Sequence, residues 1–126
     1  MLGHPRHLWP ALSALVALAA GCGSESQQDL DLVRDSVEAA LETWKKAERG
    51  DALMSRSPPI EFHDDDWQRG ARLIDYELTK TYRDTDGAPR CAVTLSIQSR
   101  GKSKTIKVTY QANTSSKIVI ARDPYS

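Results

Sequence analysis

Residues 61–66 hold the densest set of side chains that could bind a metal: Glu61, His63, Asp64, Asp65 and Asp66. Hard divalent cations favour several carboxylate oxygens, and His63, Asp64 and Asp66 are the candidate ligands. The run lacks the alternate-residue spacing of a calcium loop. Carboxylates are also favoured at a helix amino terminus, where they accept hydrogen bonds from unpaired N–H groups. We therefore favour a helix cap over a metal site.

Four aromatic side chains could line a ligand pocket between a helix and a sheet: Trp44, Trp67, Tyr76 and Tyr110. Small-molecule sites are usually concave and largely apolar, so an enclosed cavity here would indicate a ligand receptor or a small enzyme. A filled core would exclude it. The chain has no P-loop, dinucleotide glycine pattern, Cys-x-x-Cys, His-Glu-x-x-His or Gly-x-Ser-x-Gly motif. No catalytic residue and no cofactor is therefore predicted.

Two further features have ordinary structural explanations. The acidic stretch 84–87 begins like a calcium loop, but its twelfth position is Leu95, where a bidentate Glu is needed, so we predict a hairpin turn. Cys91 lies in the apolar register of an alternating segment and is expected to be a buried free thiol.

The first 21 residues have the pattern of an export signal. Arg6 precedes an apolar run of 13 residues, from Leu8 to Ala20, which is too short to span a ~30 Å hydrocarbon core as a helix. Small residues follow the run, as at a signal cleavage site. The sequence Leu18-Ala19-Ala20-Gly21-Cys22 resembles the lipobox of bacterial lipoproteins, although Leu usually stands three residues before the cysteine, where this chain has Ala19. The resemblance implies cleavage before Cys22 and acylation of its sulfur.

This interpretation of the amino-terminal segment divides the chain into a signal peptide (1–21), a tether (22–28) and one small domain (29–126). A plain signal peptide that leaves a free thiol on Cys22 is the alternative. Six extended residues after Cys22 reach about 20 Å, so the domain would lie close to the lipid surface. Resemblance to lipoprotein sorting patterns makes Gly23 compatible with the outer membrane, which we favour over the inner one.

Hydrophobic periodicity predicts one long helix followed by four strands. Apolar side chains recur at spacings of three and four over Asp29 to Arg49, and Gly50 is placed to end that helix. A short helix with an acidic start and a glycine stop follows at 64–70. Alternation then predicts four strands, at Leu73–Tyr82, Arg90–Gln98, Ile106–Ala112 and Lys117–Arg122.

The predicted fold class is α+β, with one long amino-terminal helix packed on a four-stranded antiparallel meander. The element order and the spacing of Trp67, Gly70, Leu73 and Tyr76 resemble the cystatin/NTF2-like group of small domains. The full NTF2-like pattern also has strands between the long and the short helix. Only Ile60 to Phe62 is available for them here.

Charge is segregated along the chain although the formal net charge is zero. Residues 22–78 carry 7 basic and 14 acidic side chains, and residues 79–126 carry 9 basic and 3 acidic ones. Because the net charge of the whole chain is zero, nucleic acid is not expected as a partner. The basic side chains Lys80, Arg100, Lys102, Lys104, Lys107, Lys117 and Arg122 either meet an anionic partner or keep strand edges soluble, and we favour the second explanation.

These observations predict an envelope lipoprotein, held on the membrane by the lipid on Cys22, whose domain is a non-enzymatic binding or structural module. Its partner would be an unidentified protein or envelope polymer. A pocketed receptor or enzyme is one alternative, and a subunit that assembles through an edge strand is another.

Overall fold

The computed structural model describes the backbone of residues 21–124 and the side chains of residues 27–124. Residues 1–20 of the predicted signal peptide and the side chain of Cys22 lie outside this part. The elements follow in the order α1 (Gly21–Lys45), α2 (Asp51–Met54), β1 (Ile60–His63), α3 (Asp65–Gln68), β2 (Arg72–Arg83), β3 (Pro89–Ser99), β4 (Lys102–Thr114) and β5 (Ile118–Arg122). Among the residues that were placed, no helix is both long and apolar enough to span a membrane.

The sheet has five strands in the order β1-β5-β4-β3-β2. Strands β2 to β5 pair antiparallel at the predicted places, but β1 pairs parallel with β5, from Ile60 beside Ile118 to His63 beside Ala121. The prediction of a four-stranded antiparallel meander is therefore wrong, because the sheet is mixed. β1 has only four residues and its partner lies more than fifty residues away, so local alternation does not reveal it.

Helix α1 begins at Gly21 and ends at Lys45, so the prediction that it runs from Asp29 to Arg49 is also wrong. Ala47 adopts a left-handed conformation with φ 59°. The N–H of Ala47 donates to Trp44 C=O at 3.0 Å and that of Glu48 donates to Thr43 C=O at 2.9 Å, which is the hydrogen-bond pattern of a Schellman cap. Glycine usually occupies this position, and an alanine there gives no sequence signal for the helix end.

One apolar face of the sheet packs against α1 and buries a continuous core. From α1 the core takes side chains at the predicted spacing, and from the strands it takes the residues that alternate inward. These side chains are Val33, Val37, Ala40, Leu41 and Trp44 from α1, and Ile60, Phe62, Leu73, Cys91, Val93, Leu95, Ile97, Val108, Tyr110, Ala112, Ile118 and Ile120 from the sheet.

The strand registers define two ends of the domain. At one end, which we call the Asp29 end, Arg83 and Thr114 both contact the side chain of Asp29. At the other, which we call the hairpin end, lie the end of α1, the start of β2 and the two-residue turn 100–101 between β3 and β4. Since α1 runs from the Asp29 end to the hairpin end, the segment that follows Cys22 enters the domain at the Asp29 end.

Candidate functional site

Asp64 lies at the centre of a polar cluster where α3, β4 and β5 meet. Its side chain is buried and accepts hydrogen bonds through Oδ1 from the N–H groups of Asp66 (2.8 Å) and Trp67 (3.3 Å). Asp64 is thus the amino-terminal cap of α3, whereas the sequence predicted a cap for the acidic run 61–66 without singling out this residue.

The second oxygen of Asp64 binds two side chains from the sheet. Oδ2 accepts from the Tyr110 hydroxyl at 2.6 Å and from Arg122 Nη2 at 2.7 Å. Arg122 also donates from Nη1 to Asp66 Oδ2 at 3.0 Å. We call Asp64, Asp66, Tyr110 and Arg122 the Asp64 network. It joins α3 to β4 and β5 through hydrogen bonds in which at least one partner is charged, and such bonds are stronger than those between neutral groups.

The proton positions in this network follow from burial and charge. Burial, and then the neighbouring Asp64 carboxylate, raise the pKa of Tyr110, so its hydroxyl keeps the proton that it donates. For Arg122, burial alone would lower the pKa, but the charge of Asp64, the Tyr110 hydroxyl and the hydrogen bonds to Asp64 and Asp66 together outweigh it, and the pKa is raised. Arg122 is therefore a permanent cation, and four donors occupy Asp64. A metal ion or a substrate proton could reach that carboxylate only by displacing them.

The three candidate metal ligands are not brought together. His63 and Asp64 are adjacent in extended backbone, so their side chains leave the chain on opposite sides. His63 Nε2 lies 2.8 Å from Glu61 Oε2, and Lys117 donates to the other oxygen of Glu61 at 3.0 Å. The hydrogen bonds from His63 and then Lys117 lower the pKa of Glu61. In the part of the chain with placed side chains, no group of three or more His, Cys, Asp or Glu residues could hold a metal ion.

Three of the four predicted pocket residues form one aromatic cluster: Trp44 and Tyr110 are buried in the core, and Trp67 is half-buried against it. Their rings pack around Phe62 of β1, with centroid distances of 6.5 Å to Trp44, 5.0 Å to Trp67 and 5.5 Å to Tyr110. Trp44 Nε1 also donates to Ala71 C=O at 2.8 Å. Phe62 was not identified from the sequence, although its alternation with Ile60 gave a signal for a strand.

Tyr76 stands apart from the other three aromatic residues. Its hydroxyl donates to Glu42 of α1, and burial together with this carboxylate raises its pKa. An open cleft of about 260 Å³ beside Trp44 and Trp67 contains neither Tyr76 nor Tyr110. This cleft thus brings together two of the four predicted pocket residues.

Arg90, which the sequence did not single out, is a buried cation. Its side chain is 9% exposed and lies near three carboxylates, at 3.2 Å from Asp86, 3.5 Å from Asp84 and 3.7 Å from Asp123. The N–H of Ala88 and the charge of Arg90 lower the pKa of Asp86. A cleft of about 510 Å³ adjoins Arg90. Arg83 also lines this cleft, and since both guanidinium groups are already paired with carboxylates, the cleft offers little attraction to an anion.

The remaining sequence candidates have simple roles. Cys91 is a buried free thiol whose pKa is raised by burial, and the turn 84–87 closes the β2–β3 hairpin, both as predicted. Comparison of the chain with protein-family models, curated proteins and solved structures finds no match.

Proposed function

We propose that the chain is exported, lipidated on Cys22 and retained at the cell envelope, preferentially at the outer membrane, where its domain is a binding or structural module. The observation that carries this proposal is the sequence Leu18-Ala19-Ala20-Gly21-Cys22 directly after the apolar run from Leu8 to Ala20. Two or three acyl chains on one cysteine would hold the domain firmly, since each buried CH₂ contributes about 0.8 kcal/mol.

The arrangement of the domain supports a short connection to the membrane. Asp29 binds Arg83 and the Thr114 hydroxyl, which ties α1 to the sheet seven residues after Cys22. Those seven residues would span roughly 10 Å as a helix or 23 Å when extended. With either geometry, the Asp29 end would face the lipid and the hairpin end would point away from it.

A binding or structural role is supported by how the reactive side chains are used. The carboxylates of Asp64 and Asp66 bind Arg122, and three aromatic candidates pack on Phe62. If the purified chain turned over envelope substrates, and either His63→Ala or Asp66→Ala abolished that turnover, this assignment would be wrong.

The test of the anchor is the intact mass of the chain isolated from the membrane fraction of the native host. We expect loss of residues 1–21 and the added mass of a diacylglyceryl group, with or without a third acyl chain. Cys22→Ser should abolish both the cleavage and the added mass, whereas the matched variant Cys91→Ser should retain both. An exported wild-type chain without lipid would contradict the proposal.

A further inference from the structure

Strand β4 extends well beyond the strand that covers its outer side. β4 has 13 residues and β5 has 5, and β5 pairs only with residues 110–114 of β4. The N–H of Asp123 adds one more hydrogen bond, to Thr109 C=O at 2.8 Å. Between Lys102 and Val108, β4 pairs with no other strand on this side in the described chain. We call Lys102–Val108 the β4 free edge.

The hairpin register determines which backbone groups face this edge. Arg100 and Gly101 both have positive φ, 55° and 79°, as in the two-residue turn that places Ser99 and Lys102 in a hydrogen-bonded pair. Such pairs alternate along an antiparallel ladder, and the β3–β4 register is unbroken. The N–H and C=O groups of Ser103, Thr105 and Lys107 therefore point away from β3, toward the free edge.

The side chains along the edge carry unneutralised positive charge. Arg100, Lys102, Lys104 and Lys107 are exposed, and none forms an ion pair with another described residue. The sequence has no Asp or Glu between residues 87 and 122, so neither strand of this hairpin offers a counter-charge. The edge thus combines open backbone hydrogen-bonding groups with four nearby cations.

Charge selects among the possible occupants of the edge. A second copy that paired β4 with β4 would bring two sets of these four cations together, which is unfavourable. An extended segment that carries Asp or Glu would satisfy the same backbone groups and neutralise the cations. We propose that the β4 free edge binds an acidic peptide segment of another protein, which adds to the sheet as a strand beside β4.

The proposed anchor places this edge away from the membrane, and this step rests on the proposed function. The 11 residues of β3 span about 36 Å between the Asp29 end and the hairpin end. The cations of the hairpin would then lie beyond the headgroups of the anchoring membrane. Their partner is accordingly a protein segment and not the anchoring lipid.

The test measures binding of a synthetic probe to the purified full chain in detergent. The probe is a blocked seven-residue peptide of alternating glutamate and valine, and the matched control is the same peptide with every backbone amide N-methylated. Both carry the same charge, but only the first can pair as a strand. We expect the methylated peptide to bind at least about tenfold more weakly at moderate salt. Equal binding of the two peptides would reduce the interaction to charge alone and overturn the proposal.

Variants of the chain provide an independent check. Thr105→Pro removes an N–H that faces the free edge without removing a β3–β4 hydrogen bond, and should weaken probe binding about tenfold. The combined variant Lys102→Gln, Lys104→Gln, Lys107→Gln should do the same. The same change of charge at Arg49, Arg56 and Lys80 should leave binding within about twofold.

Two other outcomes would overturn the proposal. If the wild-type chain did not bind the probe, the role of the lysines would be to prevent edge-to-edge pairing of strands. If the chain formed a dimer in solution and Thr105→Pro disrupted that dimer, the occupant of the edge would be a second copy of the chain. Because neither measurement uses the lipid, failure here leaves the mass test of Cys22 unaffected, and an unmodified Cys22 leaves the edge measurements unaffected.

Discussion

The Asp64 network and the β4 free edge use their polar groups in opposite ways. In the network, Asp64 is buried and receives four hydrogen bonds, two of which come from side chains of the sheet. Along the free edge, three residues present open backbone groups beside exposed lysines. The carboxylate, phenol and guanidinium groups of the network therefore stabilise the fold. Along the free edge, the groups available to a partner are backbone N–H and C=O groups and the charged side chains of lysine and arginine.

The largest effect should come from removing the cation of the network. Arg122→Ala leaves the buried Asp64 carboxylate without its charged partner, and truncating one member of such a pair costs about 3 kcal/mol or more. Urea unfolding of the purified chain measures the loss. The matched change on the free edge, Lys107→Ala, should stay within about 0.5 kcal/mol. Similar losses for the two variants would remove the distinction between the regions.

Tyr110→Phe should have an intermediate effect. It deletes the hydroxyl that donates to Asp64 at 2.6 Å in a buried setting, which should lower the free energy of unfolding by about 1–2 kcal/mol. Tyr76→Phe, which removes a hydroxyl at a partly exposed position, should cost less than Tyr110→Phe. Equal costs for the two variants would mean that burial of the network adds nothing.

The free energy of unfolding at alkaline pH should depend on the Tyr110 hydroxyl. The ordinary pKa of this phenol is 10.0, and the folded chain raises it. Below pH 10 both states hold the proton, so this group leaves the stability unchanged with pH. Above pH 10 the unfolded chain releases a proton that the folded chain retains, and the free energy of unfolding falls. This alkaline decline should be shallower in Tyr110→Phe, and an unchanged slope would contradict the assignment.

Proline at an outward-facing position of the free edge should have only a small effect on stability. Thr105→Pro removes no β3–β4 hydrogen bond and should cost less than about 1 kcal/mol, whereas Lys104→Pro removes one and should cost about 3 kcal/mol. Thermal unfolding of the two variants gives the comparison. If Thr105→Pro proved the more damaging, the derived alternation of the ladder would be wrong.

The sequence predicted the features that depend on near neighbours. Alternation located the four antiparallel strands, and the acidic run at the start of a short helix predicted a helix cap. Tyr110 was also singled out, but as a pocket residue, and Arg122 only as a surface cation. The hydrogen bonds of Tyr110 and Arg122 to Asp64 join residues that are 46 and 58 positions apart in the chain. Hydrophobic periodicity in one sequence gives no information about contacts at such a separation.

The remaining errors have the same origin. Strand β1 has four residues and is fixed by parallel pairing with β5, and α1 ends through an alanine in a conformation that usually requires glycine. Gly50, which was expected to end the helix, lies against Trp67 instead: a Cβ atom there would be 3.0 Å from the indole ring. The absence of a side chain at Gly50 allows the Trp67 ring to pack closely against it, and the hydrophobic pattern of the helix gives no sign of that tertiary contact.

Amide hydrogen exchange of the full chain in detergent tests the contrast between the two regions most directly. We expect slow exchange at Asp66 and Trp67, whose N–H groups donate to Asp64, and fast exchange at Ser103, Thr105 and Lys107. The intervening Lys104 and Ile106 should exchange slowly. Addition of the acidic peptide should slow Thr105 and Lys107. Uniformly slow exchange along β4 without the peptide, or fast exchange at Asp66 and Trp67, would contradict this contrast.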